Sequence, residues 1–183
     1  MRRILKVAAS AAGIAIAIYA VLAGVFAWQL RTITDVSRYD DLRRHWDPSF
    51  VDHFPRRIPV NATKQSLSFF PGFLQGGAHL QLRVELLPAD VAREEVRVSQ
   101  LAIYVHQSGE RTYPDSYDDA MRNVPLPPFH TGDKKPSAGF PADYILYFLT
   151  AHPGESAPWN HGQTAGVAVS RQFSELVYWA ESW

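Results

Sequence analysis

The sequence predicts an α+β protein: an N-terminal transmembrane helix, then one domain with a mostly antiparallel five- or six-stranded sheet and two or three short helices. Three observations carry this reading. Twenty of the 24 positions from Val7 to Leu30 are hydrophobic and none is charged. Runs that alternate apolar and polar residues, or stay apolar for seven positions, recur between residues 66 and 181 with turn residues between them. Beyond Leu30 the helical signals are short, at residues 31–47, 49–54, 88–98 and 115–122.

At about 1.5 Å per residue, a 24-residue helix reaches about 36 Å and spans a bilayer with some tilt. A secretory signal has a shorter apolar region, typically about 7–15 residues, and Trp28 is of the type that anchors a helix at the interface. The segment is therefore expected to remain as an anchor over residues 7–30. Arg2, Arg3 and Lys6 precede it without an acid, while Arg31, Arg38, Arg43 and Arg44 follow it. The short tail, residues 1–6, is placed in the cytoplasm and the large domain outside, because the reverse would drag every charge of the tail across the membrane.

Beyond Leu30, Ile33, Val36, Tyr39, Leu42 and Trp46 recur every three or four positions. That stripe predicts an amphipathic juxtamembrane helix over residues 31–47. Asp47 followed by Pro48 supplies an N-cap and a first helical residue for a separate short helix from Ser49 to Phe54, and an extracytoplasmic domain over 48–183. Next come SLSFFPGFLQ and AHLQLRVELL, separated by Gly76-Gly77, a pair that suits a hairpin turn. Pro71-Gly72 demotes the first run to an edge or bulged strand. In the second run Leu80, Leu82, Val84 and Leu86 alternate with His79, Gln81, Arg83 and Glu85, so one face is core and the other is expected to meet water or a ligand.

Pro88 to about Val98 reads as a helix with Asp90, Glu94 and Glu95 ahead of Arg97, the order that its dipole favours. Leu101–His106 reads as a strand with Leu101, Ile103 and Val105 on one face and Tyr104 and His106 on the other. Six prolines and three glycines fall from Gln107 to Pro141, which predicts a long irregular connection with a short helix at Asp115–Arg122. YILYFLT at 144–150 reads as a strand covered on both faces, and 164–170 with 175–181 as a terminal hairpin.

Composition narrows the function classes. Fifteen basic and eighteen acidic residues follow Leu30, so the domain lacks the basic excess of a nucleic-acid binder. With no cysteine, disulfides, thiolate metal sites, thiol nucleophiles and lipidated cysteines are excluded. Seven histidines form no His-x-x-x-His pair, and no metal or cofactor is expected. Asp115, Asp118 and Asp119 lack calcium-loop spacing, HTGDKKPSAG lacks phosphate-loop spacing, and no Gly-x-Ser-x-Gly is present. No catalytic residue is assigned. The expected function is a non-catalytic interaction module docking on another membrane or envelope protein, with Trp159, Trp179 and Trp183 as candidate docking aromatics. The alternative is an enzyme or small-ligand binder. Its pocket would lie between the 107–141 loop and a polar sheet face on which His79, Arg83, Glu85, Tyr104 and His106 converge.

Overall fold

A computed structural model describes residues 16–21, 24, 31–72, 77–109, 124–132, 139–152 and 162–183. The chain divides into two compact units, Met1–Arg31 and Thr32–Trp183. In the first, residues 16–21 and Gly24 are helical, and Ile16, Ile18, Tyr19 and Val21 are exposed. The rest of the 7–30 segment lies outside the described residues. Among the described residues no helix is long and apolar enough to cross a membrane.

The second unit is α+β. Among its described residues, six strands form one antiparallel sheet: β1 (Lys64–Phe70), β2 (Ala78–Glu85), β3 (Tyr104–Gln107), β4 (Ile145–His152), β5 (Gln163–Ser170) and β6 (Glu175–Ser182). Their order is β1-β2-β6-β5-β4-β3. The C-terminal strand thus sits between the two halves, paired with β2 on one side and β5 on the other. The helices are α1 (Tyr39–Arg44), α2 (Pro48–Val51) and α3 (Pro88–Leu101).

The alternation of β2 puts Leu80, Leu82 and Val84 in a core with Leu67, Phe69, Val167, Leu176 and Tyr178. The helices cover this side. Val91 and Val98 of α3 are buried there, and so is Glu95, a carboxylate that burial would penalise without partners. It accepts from Tyr147 Oη at 2.8 Å and from Arg171 Nε at 2.6 Å, tying the helix to β4 and to the β5–β6 turn. Burial, reinforced by Glu95, pushes the Tyr147 phenol up to about 12.

The stripe predicted as a stalk is part of this domain. Residues 32–35 are not helical; Ile33 forms a two-hydrogen-bond bridge with Phe69 at 2.8 and 2.9 Å. Helical backbone is limited to a 3-10 turn at Val36–Arg38 followed by α1. Tyr39 and Leu42 are buried in the helix-side core, because an apolar stripe gains about 25 cal/mol per Å² by leaving water. Asp47 caps α2 through Ser49 N at 2.9 Å, with Pro48 in the first turn. The helix stops at Val51, three residues short of the expected Phe54.

Two other elements differ in register. The β1–β2 pairing closes at Phe70 opposite His79, where Pro71 has no N–H to continue the ladder; the expected turn at Gly76-Gly77 falls partly outside the described residues. Residues 73–76 lie outside the described residues. As expected, β1 is an edge strand. Near residue 101 the helix wins over the alternating pattern: α3 runs through Leu101 and β3 begins at Tyr104. Ile103 and Val105 are more than two-fifths exposed, while His106 is 2% exposed. The apolar members of that alternation therefore face outward at the sheet edge, and the histidine faces the core. The helix expected at Asp115–Arg122 lies outside the described residues.

The opposite face of the sheet is also covered. Val124, Phe129, Phe140 and Tyr144 come from irregular segments and pack on Leu146, Phe148, Val177 and Trp179. The polar side of β2 therefore meets protein, where sequence alternation predicts water or a ligand.

Candidate functional site

The five residues expected to converge do not form one site. His79, Arg83 and Glu85 belong to β2, and Tyr104 and His106 to β3, with β6, β5 and β4 between them. At about 4.8 Å per strand, the two groups stand roughly 19 Å apart along the sheet. Alternation assigned the shared face correctly and could say nothing of the distance across it.

The β2 residues clamp the segment 128–132 onto the sheet. Gln81 Nε2 donates to the Pro128 carbonyl at 3.0 Å, and its Oε1 accepts from Thr131 N at 2.9 Å and Thr131 Oγ1 at 3.0 Å. Arg83 Nη1 donates to the Thr131 carbonyl at 3.2 Å, Nη2 pairs with Glu175 at 2.6 Å, and the guanidinium lies 5.5 Å from the Phe129 ring centroid. Tyr144 Oη donates to the second oxygen of Glu175; burial, then this contact, raises the Tyr144 phenol far above its usual range. Glu85 Oε1 accepts from Thr63 Oγ1 at 3.0 Å. These side chains are engaged by protein groups, Gln81 and Arg83 by the described part of the 107–141 loop and Glu85 by Thr63.

Nearest the Ala78 end of β2, the imidazoles of His79 and His130 stack with centroids 3.6 Å apart and planes 5° from parallel. Ser68 Oγ and His79 Nε2 share a hydrogen bond at 2.9 Å, and His130 Nε2 lies 3.2 Å from Glu181 Oε1. Serine, histidine and carboxylate invite a nucleophile reading, but here the carboxylate meets the second histidine. Burial and, after it, the neighbouring His130 depress His79 to about 3, too low for a general base at neutral pH. Burial also raises the Glu181 carboxyl. Among the described residues no three His, Asp or Glu side chains are arranged to hold a metal ion.

Of the candidate docking aromatics, Trp179 is fully buried, edge-on to Phe148 at 5.3 Å. It is a core residue, inaccessible to a partner. Trp183 is half-buried against the same core, and Trp159 lies outside the described residues.

An open cleft of about 580 Å³ lies elsewhere, where the 33–50 segment meets the end of the sheet. Ile33, Leu42, Trp46, Phe50, Phe69 and Pro71 supply its apolar wall, and Arg38, His45, Asp47, Ser49, Gln163 and Ser182 its polar lining. Trp46 and Phe50 stack in parallel, 6.0 Å apart. Sequence periodicity exposed half of this site, the stripe from Ile33 to Trp46. The strand residues opposite it became visible only with the fold. A second cleft of about 480 Å³, lined by more charged residues, runs from Asp52 and His53 to Arg97 and Tyr178. Comparison with protein-family models, with curated proteins and with solved structures finds no match to this chain.

His53, whose Nε2 donates to the Trp179 carbonyl at 3.0 Å, is held at about 4, chiefly by burial. With His79 it sets a pH dependence. Both pKa values lie below the unfolded value near 6.5, so the unfolded chain binds more protons once the pH falls below it. Stability is fully present above about pH 6.5 and is lost as the pH drops toward 4, with a slope of up to about 2.7 kcal/mol per pH unit for two groups. Melting temperature followed from pH 7.5 to 4.5 is expected to fall, and a His53→Gln/His79→Gln variant to fall less steeply. Equal slopes in the two chains would contradict the assignment.

Proposed function

We propose that the chain is a single-pass membrane protein, anchored in the lipid bilayer through residues 7–30, with residues 1–6 cytoplasmic and the folded domain outside. The domain works as a non-catalytic module that docks on another membrane or envelope protein. One observation carries the anchoring: Ile16, Ile18, Tyr19 and Val21 are helical and between 55% and 76% exposed. At 100° per residue these four point in all directions around the helix, and a helix that is apolar all round gains stability only within a protein core or in lipid. The non-catalytic reading is supported by the polar residues of β2, which are spent on holding segment 128–132.

Two measurements test it. A phosphatase reporter that is active only outside the cytoplasm, fused after Trp183, is expected to work, and protease added to spheroplasts is expected to digest the domain. An inactive reporter with a protected domain reverses the orientation. In mild detergent the tagged chain is expected to migrate on a native gel with a stoichiometric membrane or envelope protein; a lone 20.6 kDa species overturns the docking reading.

A further inference from the structure

We propose that the cleft between the 33–50 segment and the end of the sheet binds a single-chain amphipath: one alkyl chain ending in a carboxylate or phosphate. The size fits, since about 580 Å³ lies within the roughly 300–1,000 Å³ of small-molecule sites. The wall fits an alkyl chain. Leu42, Phe50 and Phe69 are buried core residues that also line the opening, and Trp46, flat on Phe50, presents a broad apolar surface with few torsions to freeze.

The polar lining selects the charge of the head. The Asp47 carboxylate already accepts from Ser49 N at 2.9 Å and Ser49 Oγ at 2.7 Å. Asp35, next to the cleft in the chain, is held in the same way by Ser37 N at 3.0 Å and Ser37 Oγ at 2.7 Å. His45 Nδ1 donates to the Asp41 carbonyl at 2.6 Å. Arg38 is different: it is exposed, lines the cleft, and makes no ion pair within 4 Å among the described residues, its charge reaching the Asp35 carboxylate only at longer range. A guanidinium with donors to spare beside an apolar wall matches a chain with an anionic oxygen head. A cationic amphipath would meet Arg38 at the rim.

This site stands apart from the docking reading, because it depends on the cleft alone. The test uses the full chain in phosphatidylcholine nanodiscs and a twelve-carbon fatty acid carrying a photoreactive diazirine, with crosslinks mapped by mass spectrometry. Crosslinks are expected within residues 33–50 and at Phe69, Pro71 and Ala78. Excess dodecanoate or lauroyl lysophosphatidate is expected to suppress them, whichever competes better naming the head as carboxylate or phosphate, while dodecyltrimethylammonium leaves them in place. Arg38→Glu is expected to cut labelling about tenfold, the effect of roughly one charge-assisted hydrogen bond, and being exposed it leaves the fold intact. Ala78→Trp, which fills the cleft, is expected to abolish it. Labelling confined to residues 7–30, or equal competition by the cationic amphipath, overturns the proposal even if the protein partner is found.

Discussion

Replacing Gly166 with alanine is expected to destabilise the domain by about 3 kcal/mol, at the upper end of overpacking costs. In a unit of this size that lowers the melting temperature by roughly 10 °C. A Cβ at this position would stand 2.1 Å from the Tyr147 carbonyl oxygen and 2.6 Å from two atoms of the Trp179 ring. Neither neighbour can move. Tyr147 is backbone-paired with Val167 in the β4–β5 ladder, and Trp179 is fully buried between Phe148 and Phe140. Gly139 is the control, since a Cβ there meets nothing within 4 Å and Gly139→Ala is expected to stay within about 0.5 kcal/mol of the parent. Adding Trp179→Phe to Gly166→Ala is expected to recover only part of the loss relative to Trp179→Phe alone, because the contact with the Tyr147 oxygen remains. Urea unfolding of the parent and the four variants measures this, and a Gly166→Ala cost below about 1 kcal/mol refutes the packing argument.

The same glycine marks the boundary of what was legible in the sequence. Strands announced themselves where one face is apolar: Leu80, Leu82 and Val84 by period two, YILYFLT by its length, and the β5–β6 hairpin by two runs around a short polar turn. Period two carries no information on which strands are neighbours. The pairing of β2 with β6 joins residues nearly a hundred positions apart, and this pairing separates His106 from Arg83 by most of the sheet. The second layer was hidden for a different reason. Phe129, Phe140 and Tyr144 lie in irregular chain, which has no period to read, so the polar face of β2 looked open when it is covered. The cleft was half legible: the stripe from Ile33 to Trp46 announced an apolar face, and short-range spacing cannot name the surface that receives it. Trp179 and Trp183 look alike in sequence, yet the first is core and the second half-exposed, since their exposure depends on the strands and loops around them.

The largest effect expected from a single polar substitution is at the buried pair that closes the clamp. Glu175→Ala removes the carboxylate that pairs at 2.6 Å with the Arg83 guanidinium, whose side chain is 11% exposed, and also strips Tyr144 Oη of its acceptor. Breaking a buried pair from one side typically costs about 3–5 kcal/mol, because the surviving charge keeps its desolvation penalty and loses its partner. Arg83→Ala is expected to cost a similar amount, since it leaves Glu175 with Tyr144 alone and releases the Thr131 carbonyl. Replacing both by apolar residues of similar size, as in Arg83→Met/Glu175→Leu, removes the two charges together. It is therefore expected to be less destabilising than either single change, a coupling that additive contacts would not give. The location of the loss separates this from general unfolding. Hydrogen exchange at Thr131 N, which donates to Gln81 Oε1 at 2.9 Å, is expected to accelerate in Arg83→Ala more than exchange in the β5–β6 ladder, because Arg83 and Gln81 hold the same segment. If denaturant titrations show the single costs simply adding in the double variant, the pair is not the clamp's electrostatic core, and segment 128–132 is held by the packing of Phe129 and Phe140 instead.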